Sequence, residues 1–385
     1  MGPADLAGRP EHRGPALGRG LDSFGALAPS TLYLAPHGLL AGTAAADAVA
    51  AGLAWRIAGG WTAASLLKIF ARKPSGGADA LVVSIPEFSA WLDRNDSPAA
   101  ERLRRLAERL RAPRPAWAGL PLDRPHVMGI VNVTPDSFSD GGDHASTAAA
   151  IAQGLALRAA GAAILDVGGE STRPGAADVS LEAEIARVVP VIRGLATEGA
   201  LVSVDTRRAP VMAAALEAGA VILNDIEALT QPGALALAVE AEAPVALMHM
   251  QGEPRTMQAD PCYDAAALDV FDWLEARVAA AEAAGLPCER ILVDPGIGFG
   301  KALGHNLEIL AALGLYHATG AGILLGVSRK SFIGKIDGST DPRRRLGGSL
   351  AAALDGWRQG AQVVRVHDVA ETVQALAVAQ AIAGA

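Results

Sequence analysis

Short apolar segments that end in a polar residue recur along the chain from residue 126 onwards. Eight can be read, at 126–133, 162–168, 200–206, 220–225, 244–250, 290–296, 322–328 and 362–368. Segments so uniformly apolar are typical of strands whose two faces are both buried, as in a parallel sheet. Alanine-rich and leucine-rich stretches with helical spacing lie between them, so strands and helices are predicted to alternate.

Eight strands that alternate with helices predict an α/β fold, a (β/α)8 TIM barrel. A doubly wound sheet is the alternative arrangement for such a pattern. The first strand is not followed by the GxGxxG turn of dinucleotide-binding sheets, and this favours the closed barrel.

The residues before the barrel predict three further regions. Residues 1–28 are rich in Gly, Pro and Arg without periodicity, and they are predicted to be disordered. Residues 29–111 predict a small α+β accessory module, in which Ser97 caps a helix. Residues 112–125 are proline-rich and predict a linker, so the barrel domain is expected at 126–385.

Polar side chains close every predicted strand of the barrel. They are Asn132, Asp166, Asp205, Asn224, Asp225, His249, Asp294, Ser328, Arg329, Lys330, Arg365, His367 and Asp368. The carboxyl ends of barrel strands meet at one mouth. One polar strand end is more often a cap for the next helix, but polar ends on all the strands predict a site.

Asp205, Asn224 and Asp294 would place acceptors and negative charge in a buried crevice. This combination suits a flat heterocycle with N–H and amino donors, such as the edge of a guanine or a pterin. A structural role stays open for two of them, because Asp205 could cap the helix after it and Asp294 could shape the turn at Pro295.

Cations are predicted at the same mouth. Lys330, Arg365 and His367 follow neighbouring strands, and Arg173 lies in the loop after the second strand. Cations on adjacent barrel strands often hold phosphate, so an anionic group is expected there. For Arg329 a surface charge pair is the more ordinary interpretation.

Three loops have compositions that suggest a ligand. TPDSFSDGGD at 134–143 and GGESTRPGA at 168–176 are small and polar enough to close over one. PGIGFGKALGHN at 295–306 has glycines that let the backbone approach a ligand, and Phe299 that could stack on it. This third loop lacks the residue spacing of a phosphate-binding P-loop.

Composition and charge narrow the class of protein. Hydrophobic residues make up 51% of the chain and charged residues 19%, which predicts a compact protein. The net charge of -8 argues against a nucleic-acid binder, which carries a basic face. Two cysteines predict reduced thiols. With no membrane span or secretory signal expected, the predicted location is cytoplasmic.

Taken together, the motifs resemble dihydropteroate synthase. Across residues 126–380 they run, in that family's order, HVMGIVNVTPDSFSDGG, ILDVGGESTRPGA, SVDT, ILND, LMHMQGEPRTMQ, DPGIGFGK, GVSRKSFIG and VRVHDV. The resemblance implies condensation of 6-hydroxymethyl-7,8-dihydropterin diphosphate with p-aminobenzoate, giving 7,8-dihydropteroate and pyrophosphate in folate biosynthesis. It also implies Mg2+ as cofactor, competition by sulfonamides, and a homodimer formed through barrel helices.

The same resemblance implies a role for each candidate residue. The pterin diphosphate would be bound by Thr172, Asp205, Asn224, Asp294, Lys330, Arg365 and His367. p-Aminobenzoate would contact Thr172, Arg173, Phe299 and Ser331. Asn132 would bind the metal ion. The catalytic residues would be Asp205, Lys330, Arg365 and His367, which stabilise the charges that develop as diphosphate leaves.

Two rival interpretations stay open on the sequence. A corrinoid-linked methyltransferase would share the pterin-binding Asp and Asn pattern, but it would not need the GGESTRPG loop or the phosphate-binding cations. A non-catalytic pterin-binding paralogue is expected to lack Asn132, Arg173 or Lys330, and all are present. Residues 1–120 lie outside the resemblance and could be an inert extension, a regulatory module or one that stabilises a dimer.

Overall fold

The computed structural model describes residues 20–133, 143–170, 179–253 and 256–384. Within these ranges the first part of the chain is an N-terminal module, residues 21–111, built on an antiparallel sheet. Its elements are β1 (Leu32–Ala41), α1 (Gly42–Ala50), β2 (Trp55–Arg56), β3 (Thr62–Arg72), β4 (Ala78–Ser84), α2 (Ile85–Leu92) and α3 (Pro98–Arg111). The long strand β3 pairs with β1, β2 and β4 and so organises the sheet.

Helix α3 forms as its sequence predicts. The Ser97 side chain accepts a hydrogen bond from the N–H of Ala100 at 3.2 Å, which caps the first turn. Leu103, Leu106 and Leu110 are fully buried on one face of the helix. Their burial stabilises the helix against the sheet, because an isolated helix of this length is marginal in water.

The prediction of disorder for residues 1–28 is wrong at its carboxyl end. Leu21–Ala26 forms a 3-10 helix, and a second one follows at Pro29–Thr31. Leu21 and Phe24 are buried, because they pack into the core that α2 and α3 share with β1. Two apolar residues among glycines and prolines give no period that a sequence pattern could detect. Residues 1–19 lie outside the described ranges.

The second part of the chain is the barrel. Within the described ranges, its closed ring of parallel strands consists of β5 (His126–Asn132), β6 (Ile164–Gly168), β7 (Val202–Asp205), β8 (Ile222–Asp225), β9 (Val245–Met248), β10 (Ile291–Asp294), β11 (Gly322–Gly326) and β12 (Val363–Val366). Closure occurs between β12 and β5, where Arg365 is in register with Met128. The predicted (β/α)8 barrel is confirmed, and each predicted segment contains one observed strand.

Helices surround this ring of strands. They are α4 (Asp143–Ala159), α5 (Leu181–Thr197), α6 (Ala209–Glu217), α7 (Ala234–Glu240), α8 (Ala266–Ala283), α9 (Leu303–Ala311), α10 (Ser331–Asp337), α11 (Leu346–Arg358) and α12 (Val369–Gly384). Short 3-10 helices lie at Cys288–Arg290, Leu313–Thr319 and Pro342–Arg345. None of the helices in the described ranges is long and apolar enough to cross a membrane.

The segment predicted as a linker, 112–125, contributes to the core of the barrel. Trp117 is 1% exposed and packs with Leu122 against Met128 and Leu292 in the lower interior of the barrel. Its ring N–H donates to the carbonyl of Arg290 at 3.0 Å. The segment therefore seals the end of the barrel opposite the mouth as well as connecting the two parts.

The N-terminal module docks on the outside of the barrel. The ring of Tyr33 packs edge-on against Phe271 of α8, with 5.7 Å between the ring centres. Arg102 of α3 forms two hydrogen bonds of 2.7 Å with Glu275 of α8. The module is thus held by apolar packing together with paired charges, and it covers helices that would otherwise face solvent.

Candidate active site

Adjacent strands bring polar side chains together at the mouth of the barrel. Gly168 of β6 is in register with Asp205 of β7, and Asp205 with Asn224 of β8. On the far side of the ring, Gly326 of β11 is in register with Arg365 of β12. Parallel strands all end at the same edge, so these residues face one crevice.

Arg365 is the cation at the centre of this crevice. Its Nε donates to Asp166 Oδ2 and its Nη2 to Asp205 Oδ2, both at 2.6 Å. Asn224 Nδ2 donates to the same oxygen of Asp166 at 3.0 Å. The side chain of Asp166 is completely buried, whereas that of Asp205 keeps 21% of its surface accessible. One guanidinium therefore links two carboxylates, and Asp205 is the one that a ligand can reach.

Asp294 and Lys330 both border Gly326 at the mouth. A Cβ on Gly326 would lie 3.6 Å from Lys330 Nζ and 3.7 Å from Asp294 Oδ2, so both polar ends approach this glycine. Asp294 Oδ1 accepts from the N–H of Gly296 at 2.7 Å, which also makes it the predicted turn residue. Lys330 Nζ lies 4.9 Å from the ring centre of Phe299, within the range of a cation–π contact.

Burial dominates the pKa values of these groups. Burial raises the pKa of Asp205 to about 7, although the charge of Arg365 opposes the rise and Asp166 adds to it. Burial also raises the pKa of Asp294, against the effect of Lys330. The pKa of Lys330 falls to about 8, because burial outweighs the attraction of Asp294. The mouth therefore holds one acid, Asp205, and one base, Lys330, whose pKa values lie close to neutral pH.

Asp205→Asn is expected to stabilise the fold more at neutral than at acidic pH. Asp205 ionises near pH 4 in the unfolded chain, but in the folded protein it keeps its proton up to about pH 7. Between these values the folded state binds more protons, so the stability of the wild-type protein falls as pH rises. Denaturant unfolding of both proteins at about pH 4.5 and about pH 7.5 measures the effect. A stability difference that is the same at both pH values would contradict the raised pKa.

Two contacts tie the loops after β11 and β12 together. Ser328 Oγ accepts from the backbone N–H of His367 at 3.1 Å and lies 3.1 Å from its Nδ1. Arg329 forms a two-pronged ion pair with Asp368 through Nε and Nη2. Arg329 therefore forms an ion pair, which is the role that the sequence favoured for it. The pair fixes the loop that carries Lys330 relative to the one that carries His367.

The structure describes only some of the remaining predicted site residues. Asn132 ends β5 and is in register with Gly168 of β6. Ser331 is exposed as the first residue of α10, directly after Lys330. Thr172 and Arg173 lie outside the described residues, as does the first loop from residue 134 to 142.

Sequence reasoning missed the roles of two buried groups. Asp166 reads as one strand end among many, yet it positions both Arg365 and Asn224. Lys301 is 1% exposed, and its Nζ lies 2.9 Å from His249 Nδ1. Burial lowers the pKa of Lys301 well below its usual value and that of His249 to about 3, so an uncharged pair is favoured. The sequence signal that pointed to Lys301 was the scarcity of lysine, because the chain contains only five lysines.

The described residues contain no group of three or more His, Cys, Asp or Glu side chains suited to a metal ion. Asn132, at the end of β5, offers one amide oxygen, a hard ligand of the type that Mg2+ prefers. Because Mg2+ commonly keeps several waters and binds substrate phosphates, one protein oxygen fits a metal that arrives with a diphosphate.

Comparison with known proteins matches the barrel. A family model described as "Pterin binding enzyme" matches residues 128–367. The dihydropteroate synthase of Escherichia coli strain K12 is 50% identical over 263 residues, which cover 68% of this chain and 93% of that protein. The family match begins within β5, so the N-terminal module lies outside it.

Solved structures agree with this assignment. Dihydropteroate synthase from Xanthomonas albilineans with 4-aminobenzoic acid has a TM-score of 0.66 and 49% identity, covering 70% of this chain and 97% of that one. The Xanthomonas albilineans complex with 7,8-dihydropteroate has a TM-score of 0.64 and 47% identity, covering 69% and 96%. The chain therefore belongs to the dihydropteroate synthase family of pterin-binding enzymes.

Proposed function

We propose that the mouth of the barrel condenses 6-hydroxymethyl-7,8-dihydropterin diphosphate with p-aminobenzoate, giving 7,8-dihydropteroate and pyrophosphate. The observation that carries this proposal is the presence of acids beside cations in one crevice: Asp205 with Arg365, and Asp294 near Lys330. Support comes from family membership and from relatives solved with 4-aminobenzoic acid and with 7,8-dihydropteroate. The reaction is a transfer that forms one step of folate biosynthesis.

The pterin ring would bind between the acids and Asn224. Carboxylate oxygens of Asp205 and Asp294 accept hydrogen bonds from ring N–H and amino groups, and Asn224 supplies an amide. Because burial raises the pKa values of both acids, their negative charge is costly in the free protein and is relieved when donors bind. Lys330, held by the carbonyl of Ile297, would lie at the edge of the same ring.

The diphosphate would bind to Arg365 of β12 and to His367 just after that strand. Arg365 lies across Asp166 and Asp205, whose charges outweigh the effect of burial and raise its pKa, so it stays protonated. Ser328 Oγ accepts from the backbone N–H of His367 and lies 3.1 Å from its Nδ1, so the imidazole is held in one orientation. In that orientation His367 would donate to a phosphate oxygen through Nε2.

The chemical step then follows from these charges. The bond between the pterin methylene carbon and the diphosphate oxygen breaks, and pyrophosphate leaves with the bonding electron pair. Asp205 and Asp294 stabilise positive charge on the pterin, while Arg365 and His367 stabilise the leaving anion. The neutral amine of p-aminobenzoate attacks the methylene carbon and loses a proton to solvent. An aniline nitrogen is nucleophilic when neutral, so a strong general base is not required.

p-Aminobenzoate would bind beside Phe299, whose ring already contacts Lys330 Nζ. By the family resemblance, Thr172, Arg173 and Ser331 would complete the pocket. The second substrate would then lie next to the pterin methylene, on the side of the crevice bounded by the glycine-containing loop after β10.

We also propose Mg2+ as the cofactor, bound by Asn132 together with the diphosphate. When bound, the ion neutralises charge on the leaving group. Asn132→Ala is expected to raise the Mg2+ concentration needed for half-maximal turnover by about tenfold or more, since a protein ligand is lost. Magnesium titrations at saturating substrate measure this. An unchanged magnesium requirement in the variant would remove Asn132 from the metal site.

Two broader proposals accompany the activity. We infer a homodimer formed through barrel helices, supported by the exposed Val378 (54%) and Ile382 (73%) on the outer face of α12. Sedimentation equilibrium should then give twice the chain mass of 39.2 kDa.

A cytoplasmic location is supported by Cys262 and Cys288, which are both free thiols in the described ranges.

Mass spectrometry of the reaction product tests the proposed function. The wild-type protein with both substrates and Mg2+ should give 7,8-dihydropteroate, and Asp205→Ala should give none. A non-catalytic paralogue would bind the pterin diphosphate but would form no product, even when p-aminobenzoate is present. Near-normal product formation by Asp205→Ala would also contradict the role given to this carboxylate.

A further inference from the structure

We propose that the N-terminal module positions the p-aminobenzoate side of the active site. It does so by holding the described parts of the loop after β9, residues 249–253 and 256–265. These in turn hold the glycine loop, residues 295–302, that carries Phe299. The inference rests on the proposed function of Phe299. The family match begins at residue 128, so the module is an addition to the matched barrel, and its contacts define what it adds.

The first step joins the module to the loop after β9. In the turn between β3 and β4, the N–H of Gly77 donates to Asp264 Oδ1 at 2.9 Å. A Cβ on Gly76 would lie 2.8 Å from the same oxygen, and Gly76 has a φ of +90°, so the close approach requires glycine. Arg72 Nη1 lies 3.5 Å from Asp264 Oδ2.

Arg72 is itself rigidly held at this junction. Its Nη2 lies 2.7 Å from Asp269 and 2.9 Å from Asp272, both on α8, and its Nε donates to the hydroxyl of Tyr33. Asp269 Oδ2 also accepts from the N–H of Asp264 at 2.8 Å, which fixes the entry into α8. The Arg72 side chain is 18% exposed, so this network is partly shielded from solvent.

The second step joins the loop after β9 to the glycine loop. The hydroxyl of Tyr263, the residue before Asp264, donates to the carbonyl of Gly300 at 2.8 Å. Gln258 Nε2 donates to the carbonyl of Gly298. A Cβ on Gly300 would lie 2.2 Å from the carbonyl oxygen of Gln251, so the two loops are in direct backbone contact.

The third step joins the glycine loop to Lys330 at the mouth of the barrel. Lys301 Nζ donates to the carbonyl of Phe299 at 2.9 Å while contacting His249 at the start of the loop after β9. The ring of Phe299 meets Lys330 Nζ, and Lys330 donates to the carbonyl of Ile297. A displacement of the loop after β9 therefore moves Phe299 and, through it, one wall of the proposed p-aminobenzoate pocket.

A second ion pair between the same two parts supplies a matched control. Arg102 and Arg109 of α3 both pair with Glu275 on α8, at 2.7 and 2.9 Å. This pair fixes the module on the barrel as the Arg72 network does, but the contacts of Glu275 in the described ranges do not extend to the glycine loop. Loss of docking alone should thus affect both pairs alike.

The experiment compares Asp264→Ala, Tyr263→Phe and Glu275→Gln in the full-length protein. Asp264→Ala and Tyr263→Phe are expected to raise the KM for p-aminobenzoate about three- to tenfold, the range expected when one positioning hydrogen bond is lost. The KM for the pterin diphosphate should change less than twofold. Glu275→Gln should lower the melting temperature while leaving both KM values unchanged. The conservative Asp264→Asn, which keeps the acceptor for Gly77, should recover most of the affinity for p-aminobenzoate.

Amide hydrogen exchange of residues 295–302 in the same variants supplies a readout independent of turnover. Exchange there should be faster in Asp264→Ala and Tyr263→Phe than in the wild type, and unchanged in Glu275→Gln. If all three variants change exchange and KM equally, or none does, the module merely covers the barrel and the inference fails. Absence of wild-type turnover would reject the proposed function, while hydrogen exchange would still decide whether the module controls the glycine loop.

Discussion

Arg365→Met is expected to destabilise the fold by about 3–5 kcal/mol at neutral pH and to abolish turnover. The guanidinium bonds both Asp166, which is completely buried, and Asp205. Removing it leaves carboxylates in a poorly solvated site without a counter-charge, and the proposed diphosphate site loses a cation. Denaturant unfolding and pyrophosphate release measure the two effects separately.

The acidic partners supply the control for that prediction. Asp166→Asn combined with Arg365→Met should recover much of the lost stability, because the buried carboxylate goes with the guanidinium, but it should not recover turnover. The single variant should also be less destabilised near pH 5, where carboxyls can take up protons. An Arg365→Met protein as stable and active as the wild type would contradict the arrangement described for the mouth.

Deletion of residues 1–111 is expected to lower the melting temperature by more than about 10 °C or to make the protein insoluble. The deletion exposes Phe271 of α8, which packs against Tyr33. It also removes Pro36, which lies so close to Gly314 that a Cβ there would be 2.6 Å from its ring. Thermal unfolding and solubility of the shortened chain measure the result.

Deletion is a stringent test because the relatives resemble the barrel alone. The match covers 93% of the Escherichia coli protein but only 68% of this chain, so too little of that protein lies outside the match to form a comparable module. The difference expected here arises from the apolar surface under the module, not from the barrel itself. A shortened chain that is soluble and melts like the full-length protein would show that the module is dispensable for stability.

The barrel could be predicted from sequence because its signal is local. Each parallel strand is buried on both faces and so appears as a short apolar run, such as Ile222–Asp225 inside the predicted segment 220–225. The same logic found Asp205, Asn224 and Asp294, since each ends such a run. Family motifs then supplied the identity of the ligands that these residues would bind.

The remaining features depend on contacts between distant residues. Asp166 pairs with Arg365 across 199 positions of the chain, and Trp117 bonds Arg290 across 173. Arg72 of the module reaches Asp272 across 200 positions. Such pairings leave no periodic pattern in the local sequence. For this reason the proline-rich segment 112–125, which seals the barrel, was predicted to be only a linker. The position of the module against the barrel was equally absent from the sequence pattern.

The shifted pKa values of Asp205 and Lys330 indicate that the mouth has an electrostatic cost in the free protein. Burial raises the pKa of Asp205 to about 7 and lowers that of Lys330 to about 8, so both charged forms are disfavoured in the free protein. On the proposed binding mode, a substrate that carries N–H donors and a diphosphate would satisfy the acids and the cations together. Substrate binding is then expected to relieve this unfavourable electrostatic energy.

Pyrophosphate release by the full-length protein shows whether the mouth of the barrel carries out the proposed condensation. The protein is incubated with 6-hydroxymethyl-7,8-dihydropterin diphosphate and Mg2+, with and without p-aminobenzoate, beside the Arg365→Met variant. Pyrophosphate release is expected to depend on p-aminobenzoate, to equal the dihydropteroate formed, and to be absent in the variant. Release that does not depend on p-aminobenzoate, or none from the wild-type protein, would contradict the proposed condensation.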